Sequence, residues 1–565
     1  MTTPLAPAPS PISNFLGLDF ANWGAGRPPD TNGDVGPTYY IETVNTSIGI
    51  YRKSDSVRVA AFTFDTLMIQ GNFGNLCDTD NFGDPVVLYD TFEDRWVITD
   101  FAFQLDGANN VINPPGAFQC FAVSQTGDPV AGGWNFYSIN LTDGLNDYPK
   151  FGIWPDGIYM SANMFGFPAA GPFLGTRVWA FNKTQMYAGN PTVQVVSFNP
   201  PAAEFTLLPA NARLQAGAPP AGSPNYFSVV WQFTNAVSVY KFHVDWNRIS
   251  TSSFTGPDVV IAPASWNIPP NTVPSQGGNN NDTLGIRLMM QNQYTNIGGV
   301  ESLWNSHTVR NPTTAGVSAV RYYQTTVTGG TVAAGTAQAA THAPDTTNRY
   351  MPSLAVDRAG NMMLGYSASS TTLFPAIRYA GRLSTDAVNT LPQTEASLVE
   401  GTGSQNTSNR WGDYSAMSLD PDGCTFWFTN EYYITTGNNW QTRIGSFRYP
   451  SCTPVGTGGT VSGTVTATTG GAPISGATIA FGSRTTTTNG SGFYSFTSIP
   501  AGTYSSISAS FSGFNSGTST PVVVADASTT IKNFSLGTAP VSACLTDTSQ
   551  SDFQTGVPAS VDLNS

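Results

Sequence analysis

The chain has 565 residues and a net charge of −13, from 23 basic and 36 acidic side chains. Nucleic acid and anionic membrane surfaces call for a Lys/Arg-rich face, so neither is expected as a partner. Charged residues make up only 10%, Gly (57) and Pro (40) are abundant, and 40% of residues are apolar, a profile of many short strands joined by polar turns rather than of disorder.

Residues 1–29 read as an extended N-terminal segment. It is Pro-rich and lacks the charged and apolar regions of a signal peptide, as expected of a secreted chain written without its signal. No apolar run approaches the ~20 residues that span a bilayer. From Asp30 a hairpin unit recurs: an apolar strand, a tight polar turn and a second strand. The clearest copies start at Pro85 (PVVLYD-TFED-RWVITDF), Lys150 (KFGIW-PDG-IYMSANMF), Pro352 (PSLAVD-RAG-NMMLGYSAS) and Tyr414 (YSAMSLD-PDG-CTFWFTNEYY). Weaker copies start at Tyr39, Asn225 and Ile286. Val, Ile, Tyr, Trp and Phe fill the strands and Gly, Asp and Asn the turns. Further strand-like runs follow each hairpin, such as AFQCFAVS from Ala117. Four strands per unit in seven units predict an all-β fold, a seven-bladed β-propeller over residues 30–452, in which radial repetition protects the sheet edges.

Cys77 and Cys120 flank one unit, and Cys424 and Cys452 bracket the last; two disulfides are expected, as in an oxidising compartment. Cys544 is left over. Residues 453–459 (TPVGTGG) read as a flexible linker. Alternating apolar and Thr/Ser residues with NG, SG and AG turns then predict a small β-sandwich over residues 460–537. Its motifs VSGTV from Val461, PISGATI from Pro473, TNGSGFYSF from Thr488 and IPAGTY from Ile499 resemble the carboxypeptidase regulatory-like domain family. That resemblance implies a non-catalytic spacer or adhesion module. Residues 538–565 read as a second linker and the start of a truncated further β domain.

The large domain carries DTNGDVGP from Asp30, GDPVVLYD from Gly83, YPKFGIWPDG from Tyr148, ESLWNSHTV from Glu301, RYMPSLAVD from Arg349 and RWGDYSAMSLDP from Arg410. In these it resembles a group of secreted bacterial β-propeller proteins, mostly of unassigned activity and loosely sialidase-like. The stretch from Ser418 to Trp427 approaches the Asp-box turn of sialidases with extra residues inserted, but the early Arg-Ile-Pro motif is missing. No sialidase mechanism is carried over.

Arg287, Arg349 and Arg410 occupy related places at the starts of the fifth, sixth and seventh units. Guanidinium forks converging on one channel mouth would bind a carboxylate or sulfate; the competing reading is that each pairs with a neighbouring acid such as Asp345 or Asp413. Asp34, Asp84, Asp147 and Asp413 are expected near the same mouth with Glu431, and Asp413, Glu431 and Asp84 are the candidate catalytic carboxylates. Two acidic turns, Asp30-Thr-Asn32-Gly-Asp34 and Asp78-Thr-Asp80-Asn-Phe-Gly-Asp84, offer alternating oxygens suited to calcium, although plain Asx-turns explain them equally well. His243, His307 and His342 show no zinc spacing, and no nucleophile elbow, P-loop or dinucleotide fingerprint occurs. The sequence thus points to a secreted binding or adhesion protein that recognises carbohydrate or another extracellular polymer through the propeller face. The alternative is a glycoside hydrolase or polysaccharide lyase working at the central channel.

Overall fold

The computed structural model describes residues 7–538 except 169–170, 202, 231–234, 457, 483, 500, 505 and 527. Cys544 and the expected further domain lie outside the described residues. The chain divides into a large unit, essentially residues 1–459, and a smaller one drawn mainly from the residues after it.

In the large unit the described strands form seven four-stranded antiparallel groups. Their first strands are Asn32–Val35, Asn81–Asp90, Leu145–Trp154, Leu208–Ala212, Met289–Ile297, Asn348–Val356 and Ala416–Leu419. Each packs against the first strand of the next group, and the last packs against the first, which closes a ring around a central channel. The architecture is a β-propeller. The fourth and fifth sheets are additionally joined by parallel pairing of Leu208–Ala212 with Met289–Ile297. The last sheet takes its outer strand from the other end of the chain: Ser13–Asp19 pairs antiparallel with Gln441–Arg448. The N-terminal segment is therefore part of the propeller, not a lead into it.

Strands such as Arg95–Ala102 and Gly157–Phe165 are buried on both faces because sheets pack against sheets around the ring. Between the second, third and fourth sheets the filling includes Phe121, Phe151, Trp154, Tyr159 and Phe227. Two of the hairpin units in the sequence start one strand late: Tyr39–Val44 and Asn225–Val229 are second strands. The strands before them, NGDV and LPANA, lack the β-branched and aromatic residues that mark the others.

Both expected disulfides form, Cys77–Cys120 with Cα atoms 5.8 Å apart and Cys424–Cys452 with Cα atoms 5.6 Å apart. The first ties the short turn Leu76–Asp78 to the third strand of the second sheet. The second fastens the end of the propeller to the turn of its last sheet. In the smaller unit, Gly459–Ala467 pairs with Thr529–Ile531 and Phe534–Leu536, while Thr478–Phe481 pairs with Arg484–Thr487 and Ile507–Ser510. Val461, Val465, Ile479, Phe481, Phe496 and Leu536 are buried within it.

The Cys424–Cys452 bond closes a loop with a sequence separation of 28. Replacing both cysteines by Ser is expected to cost about 3–4 kcal/mol in the chain-entropy account. Chemical denaturation of the wild type and the double variant measures it, and equal midpoints would show that the last sheet does not need the clamp.

Candidate functional site

The start of each first strand lies at one end of the channel, here called the mouth. Several of these starts carry a register shift: between Gly83 and Val86, Asp147 and Lys150, Met289 and Gln293, and Tyr350 and Ser353. Non-glycine residues with positive φ sit at or beside these points, including Asp84 (47°), Tyr148 (57°), Ile286 (64°) and Met351 (50°), and Asp30 (51°) precedes the first strand. Such bulges turn a side chain out of the strand's normal alternation.

This geometry gathers Asp30, Asp84, Asp147, Asp282, Asp413 and Glu431 around Lys150, Tyr148 and Tyr414. Asp30 accepts from the Asp413 amide at 2.6 Å and from Asn45 Nδ2 at 2.8 Å. Asn45 Oδ1 in turn accepts from the Asp84 amide at 2.9 Å. Tyr414 Oη lies 2.9 Å from Pro149 O and 3.2 Å from Asp84 Oδ2. Tyr148 Oη donates to Asp413 O at 3.0 Å. Lys150 is fully buried, with Nζ 3.1 and 3.5 Å from the ring centres of Tyr148 and Tyr414. Glu431 Oε1 accepts from the Gly412 amide at 2.5 Å.

Burial dominates the electrostatics. It pushes Asp30 up to about 7, with the neighbouring Asp413 adding to the effect. Asp84 is held well above the usual carboxylate range by burial and by the charges of Asp30, Asp147 and Asp413. Burial also raises Asp147 and Glu431, and lifts Asp282 to about 6 against the opposing pull of Arg410. Lys150 is driven well below its ordinary value by burial, against the attraction of Asp84 and Asp413. Carboxyl groups biased toward their protonated forms can donate as well as accept hydrogen bonds.

The buried polar atoms without a partner among the described residues include Asp413 Oδ1 and Arg287 Nε at the mouth. The Arg287 guanidinium lies over the rings of Tyr148 and Phe205, at 5.1 and 4.9 Å. Arg410 Nη2 donates to Asp413 Oδ2 at 2.7 Å, and Arg410 Nη1 lies 3.4 Å from Asp282 Oδ2.

Below the mouth the channel is filled. Asn211 donates to Gln291 Oε1 at 2.7 Å, Gln291 donates to Met417 O at 2.7 Å, and Arg213 pairs with Asp34. The cavity left beside them is about 20 Å³, room for about one water.

Asp84, Asp413 and Glu431 thus come together at the mouth, with Asp147 and Asp30. Asp34 does not: it is a channel residue of the first strand. The expected cluster of three arginines does not form. Arg287 and Arg410 flank the carboxylates, but Arg349 is buried elsewhere, bonded to Glu395 at 2.6 Å, Asp345 at 2.9 Å and Thr347 O at 2.9 Å. Its fork is saturated within a network that also holds Arg378 and Tyr366. The six side chains expected around calcium are engaged separately. Asn32 Oδ1 accepts from Val87 N, Asp78 caps the Phe73 and Gly74 amides, and Asp80 accepts from Gln104. Among the described residues no group of three or more His, Cys, Asp or Glu is placed to hold a metal ion. The sequence reading missed Lys150, Tyr148, Tyr414, Asn45 and Asp282. The available signal was the repeated residue-then-Pro step at a strand start: Asp84-Pro85, Tyr148-Pro149 and Met351-Pro352.

The fold favours protonated Asp30, so the stability it contributes at low pH is lost as pH rises from its ordinary range through about 7. Asp30→Asn removes that term. The variant should therefore gain on the wild type by about 2 kcal/mol between pH 5 and 7, at about 1.4 kcal/mol per pH unit. Paired denaturation curves test this, and a constant difference across the range would place the raised acid elsewhere. Arg349→Ala should cost about 1.5–3 kcal/mol of stability by removing charge-assisted hydrogen bonds from the buried Glu395, which keeps Arg378 and Tyr366. It should leave any ligand affinity of the mouth unchanged.

Residues 460–537 match the carboxypeptidase regulatory-like domain. No curated protein matches the chain. Similar solved structures include the N10 neuraminidase-like protein of A/little yellow-shouldered bat/Guatemala/060/2010, at 7% identity over 63% of this chain and 95% of that one, TM-score 0.34. Drosophila Semaphorin 1b, extracellular domains 1–2, is similar at 7% identity over 78% and 88%, TM-score 0.35. The Hadza microbial sialidase Hz136 is similar at 11% identity over 73% of each chain, TM-score 0.33. The segment whose motifs resembled the carboxypeptidase regulatory-like family is the one that matches it, residues 460–537.

Proposed function

We propose that this is an extracellular binding protein whose propeller mouth holds a glycan. The carrying observation is the pair of unpartnered atoms at the mouth, the acceptor Asp413 Oδ1 and the donor Arg287 Nε, set among carboxyl groups and tyrosines. Each such buried polar atom calls for an explanation. A sugar hydroxyl both donates and accepts, so one polyhydroxylated ligand can meet the Asp413 carboxyl group and the Arg287 guanidinium together. The carboxyl groups around them supply further donors and acceptors. Two disulfides support work outside the cell. The filled channel supports surface recognition over a tunnel, and the regulatory-like module suits a spacer or attachment role.

A second reading, a glycoside hydrolase or polysaccharide lyase, is favoured by Asp30. Its value near 7 suits a proton donor at neutral pH, and the Asp413 carboxyl group lies beside it.

The test is calorimetric titration with neutral and acidic hexasaccharides, alongside assays for new reducing ends and unsaturated products. Binding without turnover is expected. Asp413→Asn and Arg287→Gln should each weaken it by roughly 1.5–3 kcal/mol, the worth of a hydrogen bond to a charged group. Turnover abolished by Asp30→Asn would establish the enzymatic reading. Absence of binding across the set would end the glycan proposal.

A further inference from the structure

Beside the mouth, the first strand of the second sheet carries two register shifts in succession, between Asn81 and Gly83 and between Gly83 and Val86. The doubled irregularity releases two side chains from the ladder within three residues. Asp84 joins the mouth cluster. Phe82 stands out at the rim, 48% exposed, in a chain that buries most of its large aromatic side chains.

Phe82 is not a stray surface residue. Its ring lies 4.1 Å from that of Phe103 at 30°, and Phe103 stacks on Phe101 at 5.2 Å and 7°. Phe101 and Phe103 are buried in a small satellite core with Val111 and Ala117. The exposed ring is therefore backed by two fixed rings, and its outer face is presented at little cost in conformational freedom. It borders a cavity of about 480 Å³ lined also by Asp80, Asn81, Phe103, Gln104 and Ile112. That volume falls within the roughly 300–1,000 Å³ of small-ligand sites.

We propose that this cavity is a subsite that stacks one uncharged pyranose ring of a glycan whose neighbouring residues occupy the mouth; the inference rests on the glycan reading above. One face of a pyranose is a sheet of C–H bonds with slight positive charge. It complements the negative face of an aromatic ring, while the ring's rim of hydroxyls needs polar partners. The cavity offers both: the face of Phe82 and, at its edge, the Asp80 carboxylate with Gln104 Nε2 at 2.9 Å. The carboxylate accepts from hydroxyls and repels a uronate, which sets the ligand class as neutral at this position. Continuity with the mouth sets the direction of the chain, because Phe82 and Asp84 leave the same strand two residues apart.

The experiment titrates cellohexaose, xylohexaose and mannohexaose, and the matching disaccharides, into the full-length wild type, Phe82→Ala, Phe82→Trp and Asp413→Asn. Phe82→Ala should weaken the bound hexasaccharide about tenfold while its disaccharide affinity stays within about twofold and its thermal midpoint is unchanged. Phe82→Trp should retain the hexasaccharide affinity or raise it. If Phe82→Ala binds hexasaccharide like the wild type while Asp413→Asn does not, the subsite is wrong and the mouth reading stands. Equal weakening of hexa- and disaccharide would place Phe82 in the mouth itself and overturn a separate subsite. If wild-type protein self-associates in sedimentation runs and Phe82→Ala does not, the ring covers a second copy of the chain and the proposal fails. If no saccharide binds the wild type, the mouth reading fails and takes the subsite with it.

Discussion

Seven first strands line the central channel and, apart from the parallel pairing of Leu208–Ala212 with Met289–Ile297, the N–H groups along their inner edges have no further strand to bond. A buried backbone donor left unpaired costs as much as a lost hydrogen bond. The propeller meets this demand with side chains from neighbouring first strands. Asn32 accepts from Val87 N, Asp34 from Tyr89 N, Asn211 from Ile153 N, Gln293 from Val356 N and Ser353 from Met417 N. Each bond also ties one sheet to the next, so the same residues close the ring and fill its axis. A channel filled in this way leaves little room for a ligand.

At the mouth the demand reverses. The strand starts are bulged, and residues such as Asp84, Tyr148 and Met351 take positive φ. A non-glycine residue in that region costs on the order of 1–3 kcal/mol. The bulges bring carboxylates, a lysine and two tyrosines within hydrogen-bond or Coulomb range of one another, where burial raises the acids and lowers the lysine. None of this is required to close the ring. The first strand, Asn32–Val35, pairs with Tyr39–Val44 without any register shift.

What the sequence revealed follows from what each element must do. Hairpins such as Arg95–Ala102 with its neighbour were readable because both faces are buried and the turns use Asp and Gly. The disulfide pairs were readable because both cysteines of each pair lie in or beside a single sheet. Asn32–Val35 was taken for an acidic loop, since a strand that serves its neighbours' N–H groups must be small and polar. Arg349 was misplaced for a different reason. It precedes its hairpin in the sequence much as Arg410 does, yet it lies inside its first strand and the partner that decides its role, Glu395, is 46 residues further on. Lys150 was passed over inside an apolar run because its cage comes from Tyr148 beside it and from Tyr414 across the ring.

The two ends of the channel differ in a way that bears on function. At the end away from the mouth, acidic residues stand at strand ends and in turns. Asp90 accepts from the Phe92 amide and from Lys183 and Tyr187; Asp357 accepts from the Ala359 and Asn361 amides and Asn361 Nδ2; Asp422 caps Cys424 and Thr425. Those carboxylates are consumed by the turns they hold. At the mouth, residues of the same type are crowded together, share their environment with like charges, and include Asp413 with an oxygen that nothing in the described chain satisfies. What distinguishes the mouth is that its bulged strand starts hold several raised acids against one another, an arrangement that closing the ring does not call for.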